Sequence, residues 1–294
     1  MQLSPLVVCL LFVIPAFGQQ KPKQIVIAAS TVFDGKGGVV HNTRIVIEGS
    51  KIVRIDPKAG PVDYDLRGLT VLPGWIDSHV HITWIFGPDG KSAGGGGTSQ
   101  FAAEAAAANA KVTLLAGFTT VQSVGSPADI PLRDAIAKGT LPGPRILTSA
   151  QPLFGQGAQT GTPDEIRAFV RKQKEAGADL IKIFAAGSVR RPEMWLSQEQ
   201  LNAACDEAKK LGLRTLVHAY KDAVGAAVRA GCTQVEHGTL ASDDDLNLLV
   251  KKGVWLDPQA GLVMENYLTN KDKFLGTPGF PEEAFTTIKE IIPS

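Results

Sequence analysis

Four of the chain's five histidines, His79, His81, His218 and His237, fall at or near the carboxyl ends of short apolar runs that read as strands. Neutral imidazole is the commonest metal ligand in proteins, so histidines gathered at strand ends point to metal chemistry. His79 and His81 are two apart, and the period-two geometry of a strand sends both rings to one face, where one divalent cation can accept both. A His-x-His pair alone is as compatible with a structural role, and so is His218 or His237 taken singly. The set together carries the argument. Lys182 adds to it, because it interrupts the apolar run Leu180-Ile181-Lys182-Ile183-Phe184, where a cation needs a partner if it is to be buried. The alternative is a lysine whose stem packs while its head snorkels to water. His41 stands outside the pattern.

The elements that must position these residues follow from hydropathy. Predicted strands run Gly74 to Ile82, Thr119 to Val124, Pro144 to Ala150, Leu180 to Ala186, Arg214 to Tyr220, Thr233 to Gly238 and Val254 to Gln259. Helical stretches separate them: Ala102 to Ala116, Pro163 to Ala176 with Thr162 as N-cap, Ser197 to Leu211 with Ser197 and Gln200 at capping-box spacing, Asp222 to Ala230 and Asp243 to Lys252. Strict alternation predicts an α/β fold of the (β/α) barrel type, with a doubly wound open sheet as the alternative. In a barrel the carboxyl ends of the strands form the face where active sites are built, which is where the histidines fall. The run Gly94 to Gly97 lacks the Lys-Ser/Thr of a phosphate cradle and reads as a loop.

Before the barrel, residues Gln24 to Arg67 alternate apolar and polar in short runs, which predicts a small antiparallel β unit. Residues 1–18 read as a cleaved secretion signal: Leu6 to Ile14 is almost wholly apolar, Pro15 ends it, and Ala16-Phe17-Gly18 supplies small residues for cleavage. A membrane anchor is the alternative, but the run is short of the ~20 residues that span a bilayer. The expected location is therefore secreted or periplasmic, with no membrane association after cleavage. Lys and Arg number 30 against 29 Asp and Glu, with no basic stripe to neutralise phosphates, so nucleic acid is not expected as a partner. Cys9 leaves with the signal, and Cys205 and Cys232 are expected as buried free thiols, with pairing in an oxidising compartment left open.

The stretch Leu72-Pro73-Gly74-Trp75-Ile76-Asp77-Ser78-His79-Val80-His81 resembles the first-strand signature of the amidohydrolase superfamily, in its imidazolonepropionase-like and Xaa-Pro dipeptidase-like branch. Thr31-Val32-Phe33-Asp34-Gly35, Ala116 to Val121, Gly143-Pro144-Arg145, Gly177 to Lys182, Val217-His218-Ala219 and Glu236-His237-Gly238 follow that branch in the same order, across nearly everything after the signal. The resemblance implies two divalent metal ions, zinc by default and manganese, cobalt or iron as alternatives. His79 and His81 would hold the more buried ion and His218 and His237 the second, with Lys182 carboxylated and bridging both together with a hydroxide. The implied reaction is hydrolysis of an amide bond in a small molecule or peptide, such as a dipeptide or an N-acylated amino acid. Tyr220, Arg190 and Arg191, placed after strands, are candidates for gripping a substrate carboxylate, with surface solvation the alternative for the arginines.

The family pattern also implies a small N-terminal domain of β-sandwich type, here residues 19–70 and only partial because in the family strands after the barrel return to finish it, followed by a barrel over 71–294. An aspartate ending an eighth strand, which ligates the buried metal and accepts the proton of the attacking water, is not found after Gly253-Val254-Trp255-Leu256-Asp257-Pro258-Gln259. Asp257 belongs to the seventh strand and does not replace it. The expectation is a C-terminally truncated barrel lacking its eighth strand, with weak metal binding and poor turnover. Two other readings stay open: an inactive metal-binding fragment, and a cyclic-amide hydrolase of imidazolonepropionase type, which would use one metal. Oligomerisation is possible, and nothing in the chain decides it.

Overall fold

The computed structural model describes residues 23–94, 99–259, 262–277 and 279–291, and the chain divides into a unit ending at Pro73 and another beginning at Gly74. The expected signal, residues 1–18, lies outside the described residues, as do Gly95 to Gly97 of the expected glycine loop. Among the described residues no helix is long and apolar enough to cross a membrane.

In the first unit the alternating segments form β1 (Gln24–Phe33), β2 (Val39–Glu48), β3 (Lys51–Ile55) and β4 (Tyr64–Val71). The first hairpin turns on Asp34, whose carboxylate accepts the backbone N–H groups of Lys36 (2.7 Å) and Gly38 (2.9 Å). The strand order is β3-β2-β1-β4. One expectation needs correction here. The β1–β2 and β2–β3 pairs are antiparallel, but β4 pairs with β1 in parallel, so the sheet is mixed. Period-two patterning identifies a strand and which face it buries, but carries no information on direction. The described residues of this unit form one sheet; Val26, Val46 and Ala59 are buried, while β3 is exposed throughout.

The second unit alternates strands and helices: β5 (Trp75–Val80), the short strands β6 (Ile85–Phe86) and β7 (Ser92–Gly94), α1 (Gln100–Leu115), β8 (Phe118–Ser123), α2 (Asp129–Ala137), β9 (Arg145–Thr148) and α3 (Pro163–Glu175). It continues with β10 (Leu180–Phe184), α4 (Gln198–Lys210), β11 (Arg214–Ala219), α5 (Asp222–Arg229), β12 (Gln234–His237), α6 (Asp243–Lys252) and β13 (Trp255–Asp257), then α7 (Leu262–Thr269), α8 (Lys271–Phe274) and α9 (Glu282–Ile291). Helix starts follow local chemistry. Thr162 with Glu165 and Ser197 with Gln200 each form a complete capping box, and Pro163 opens α3. Gly177 after α3 and Gly253 after α6 adopt positive φ (89° and 65°), a conformation that favours glycine and lets the chain turn back into a strand.

All seven expected strands form, and all pair in parallel, but among the described residues they make two sheets, β5-β8-β9 and β10-β11-β12-β13, without continuous closure. Leu153, beyond β9, joins them: its N–H donates to the Lys182 carbonyl (2.8 Å) and its carbonyl accepts from Phe184 (3.0 Å). Between the outer strands β5 and β13 the join is made by side chains, with the Ser78 hydroxyl donating to Asp257 Oδ2 (2.5 Å).

Alternation along the strands sorts their side chains. Ile181, Ile183, Val217 and Val235 pack outward against Leu201 of α4, Val224 of α5 and Leu249 of α6, while Leu180 and Leu216 pack with Val124 on the other face. Lys182 follows Leu180, and His218 follows Leu216, at that same two-residue period. Cys205 of α4 and Cys232, just before β12, form a disulfide with their Cα atoms 5.2 Å apart, which corrects the expectation of free thiols. Their separation in sequence, 27 residues, held no sign of this. Docking α4 beside the turn that enters β12 brings the two into bonding range.

Candidate active site

The four imidazoles converge at the carboxyl ends of β5, β11 and β12. Ring centroids are 5.3 Å apart for His79 and His81, 5.6 Å for His79 and His237, and 4.7 Å for His218 and His237. His237 reaches the cluster by leaving strand geometry. It adopts φ 69°, a left-handed conformation in which histidine is enriched over most other residues. Continued alternation would have pointed Glu236 and His237 to opposite faces, whereas both contact the other site rings.

Lys182 is 1% exposed, and its Nζ has no hydrogen-bond partner among the described residues. Burial pushes its amine down to about 8, against the opposing pull of the Glu236 and Asp257 carboxylates. Burial and then the Lys182 charge push His81 and His218 down to about 3, and burial followed by the His218 and Lys182 charges pushes His237 down to about 2. Burial, followed by the charge of Lys182, takes His79 well below the usual imidazole range. All four rings are therefore neutral near pH 7, the state in which a ring nitrogen can donate a lone pair.

Each ring is held by a specific neighbour. His79 Nδ1 is hydrogen-bonded to Glu236 Oε2. His218 Nε2–H donates to the Gly187 carbonyl (2.7 Å), which leaves Nδ1 as its free nitrogen. His81 stacks on Trp84 (3.8 Å, 20°), and its Nδ1 is buried without a partner. Tyr220 is buried, stacks on His237 (5.3 Å, 12°) and meets His218 edge-on (4.9 Å). Burial holds its phenol well above the ordinary range, so it stays a hydrogen-bond donor.

The arginines do not join this cluster. Arg190 donates to the carbonyl of Gly279 (3.1 Å) and Arg191 is exposed, and among the described residues no hydrogen bond or ion pair links either to the imidazoles. Among the described residues, no three His, Cys, Asp or Glu side chains are spaced to hold a metal ion between them as they stand.

Sequence reasoning passed over Glu236. It is 0% exposed, burial raises its carboxyl to about 8 against the pull of Lys182, and its Oε1 has no partner among the described residues. The signal was present in Gln234-Val235-Glu236, an acid within a short buried strand, the same anomaly that singles out Lys182. Trp84 was also missed, because a stacking partner three residues beyond a histidine has no pattern of its own. A cavity of about 670 Å³ lies between α1 and α2, lined by Ala102, Ala106, Pro131 and Leu132, and none of the four imidazoles lines it.

Comparison with known proteins gives the chain's family and its relatives. The profile of the Amidohydrolase family matches residues 70–274. An uncharacterised protein of Mycobacterium tuberculosis is 25% identical over 223 residues, 73% of this chain and 56% of its own length. The ochratoxinase of Aspergillus niger is 24% identical over 283 residues, 79% of this chain and 58% of its own. The chain thus spans a little over half the length of these curated relatives. Among solved structures, a Xaa-Pro dipeptidase with methionine bound in its active site superposes with a TM-score of 0.76 at 28% identity, covering 92% of this chain and 74% of that one.

Proposed function

The chain belongs to the amidohydrolase family, and from that premise we propose that it hydrolyses an amide bond of a dipeptide or N-acylated amino acid, using two divalent metal ions held by His79, His81, Lys182, His218 and His237. One observation carries the reading: a buried lysine amine without a partner, set among four neutral imidazoles. A buried cation is expensive, and although the Glu236 and Asp257 carboxylates and the Phe184 ring, 5.3 Å from Nζ, offset part of that cost, they leave Nζ without a hydrogen bond among the described residues. The donor set fits the ions, since Lys182 Nζ and His81 Nδ1 are orphaned and His218 Nδ1 is free beside them.

A lysine held down to about 8 presents far more free amine near neutrality than an exposed one. The Nζ lone pair attacks the carbon of carbon dioxide, a proton leaves to water, and the resulting carbamate is an anion able to serve two cations. The metal ions, when bound, supply Lewis-acid chemistry, bringing the pKa of water toward neutrality and polarising the scissile carbonyl. The four imidazoles stay neutral and oriented by their neighbours, and the Tyr220 hydroxyl donates a hydrogen bond to a substrate oxygen beside His237. The flanking strands are read as a (β/α) barrel wall, with β10 to β12 supplying its packed part.

Zinc is the default ion, with other first-row divalent metals compatible with this donor set. A secreted or periplasmic location is supported by the Cys205–Cys232 disulfide, a bond that persists in oxidising compartments.

The test is a panel of Xaa-Pro dipeptides and N-acyl amino acids assayed on the metal-loaded chain, with metal content and carbon-13 bicarbonate labelling measured in parallel. Metal-dependent hydrolysis with two ions per chain and a labelled carbamate is the expected result. Full metal loading without a carbamate, or without cleavage of any amide in the panel, overturns it.

A further inference from the structure

We propose that Glu236 is a positioning residue that holds His79 in its Nδ1–H tautomer and so presents Nε2 as the nitrogen that faces the site. The inference rests on the reading of His79 as a metal ligand but concerns a residue to which neither the sequence pattern nor the family comparison gave a task.

The geometry is specific. Glu236 Oε2 meets His79 Nδ1, and the same oxygen accepts the Gln259 side-chain N–H (3.2 Å), so Oε2 is an acceptor at this junction. With the Gln259 N–H already directed at Oε2, and any carboxyl proton carried on Oε1, the imidazole proton lies on Nδ1, which leaves the Nε2 lone pair free. The carboxylate is fully buried and the His79 side chain is 6% exposed, so water does not compete for either group. The contact links β5 of one sheet to β12 of the other, and among the described residues β5 has a strand neighbour on only one side. Its ring therefore needs an external hold, and a carboxylate behind a ligating histidine is the arrangement that fixes ring orientation and raises ligand basicity.

His218 shows the complementary case. The Gly187 carbonyl takes its Nε2–H and leaves Nδ1 free, so the two rings present opposite nitrogens, each set by the acceptor behind it. A space-filling role for Glu236 would be served as well by leucine, which offers no acceptor.

The test uses the full chain, metal-free, with nitrogen-15 histidine, and reads the His79 tautomer by long-range proton–nitrogen correlation. The wild-type chain and Glu236→Gln, whose carboxamide oxygen still accepts, should show Nδ1–H, and Glu236→Leu should lose that preference. Zinc affinity measured by titration should fall about ten- to a hundredfold in Glu236→Leu, the usual loss for such a partner, and much less in Glu236→Gln. An Nε2–H tautomer in wild type, or a Glu236→Leu chain with unaltered tautomer and zinc affinity, overturns the proposal. If Glu236→Leu does not fold, the wild-type and Glu236→Gln tautomers still decide. A chain that shows the tautomer effect but cleaves no amide defeats the functional reading alone, and an active chain whose His79 is Nε2–H defeats this inference alone.

Discussion

β11 and β5 both deliver imidazoles to the same site from very different surroundings. β11 lies between β10 and β12, and Thr215, Leu216 and Val217 on it are buried. Among the described residues β5 pairs with β8 alone, and its Trp75 and Ile76 are 55% and 70% exposed. On its open flank, side chains take over from the backbone ladder: Ser78 to Asp257, and His79 to Glu236. The difference teaches that one site can be held in two ways. His218 inherits its position from close packing and two ladders, whereas His79 and His81 depend on individual polar and stacking contacts.

The largest effect is expected where the two supports meet, at Lys182. Lys182→Met keeps the volume and removes the amine, so amide hydrolysis should fall more than about a hundredfold, beyond the loss of an outer partner, while the melting temperature holds or rises because an unpartnered buried cation is gone. Retained activity would detach Lys182 from the site altogether.

Next is the packed side of the comparison. Leu216→Ala, made in a layer with Val124 and Leu180, should lower unfolding free energy by about 2–5 kcal/mol in urea titrations.

Acid should act on both strands through their histidines. His81 on one side and His218 on the other have folded values near 3 against an unfolded 6.5, so the unfolded chain binds protons first as pH falls. Stability of the metal-free chain should therefore decline from about pH 6.5 toward about 3, measured by melting temperature. Glu236 works in the opposite sense between 4.5 and about 8, one group against four imidazoles, so a chain that gains stability on acidification would show the rings to be exposed.

The smallest effect belongs to the open edge. Ile76→Ala should change unfolding free energy by less than about 0.5 kcal/mol. A loss matching that of Leu216→Ala would mean that β5 is covered as β11 is, and the contrast between the strands would fail.

Much of this was readable in advance because it is local. Short apolar runs between helical stretches marked all seven parallel strands, Thr162 and Ser197 announced their helices, His79, His81, His218 and His237 stood out by falling at strand ends, and Lys182 by interrupting an apolar run. Other features had no local trace. The direction of β4 against β1, the disulfide between Cys205 and Cys232, and the joins from β5 to β12 and β13 all depend on segments distant in sequence. Arg190 and Arg191 were nominated on strand-end position alone, and in the fold the Arg190 guanidinium instead meets Gly279.

The sequence by itself determined which side chains are available for chemistry and which strand each rides, since hydropathy period and residue type act over a few neighbouring residues. Tertiary structure alone decided which nitrogen of each ring is free, because that depends on the acceptor brought up behind it: the Glu236 carboxylate for His79, 157 residues away, and the Gly187 carbonyl for His218, 31 residues away. Hydrogen bonds between such distant partners exist only once the chain has folded, and they leave no periodicity to read.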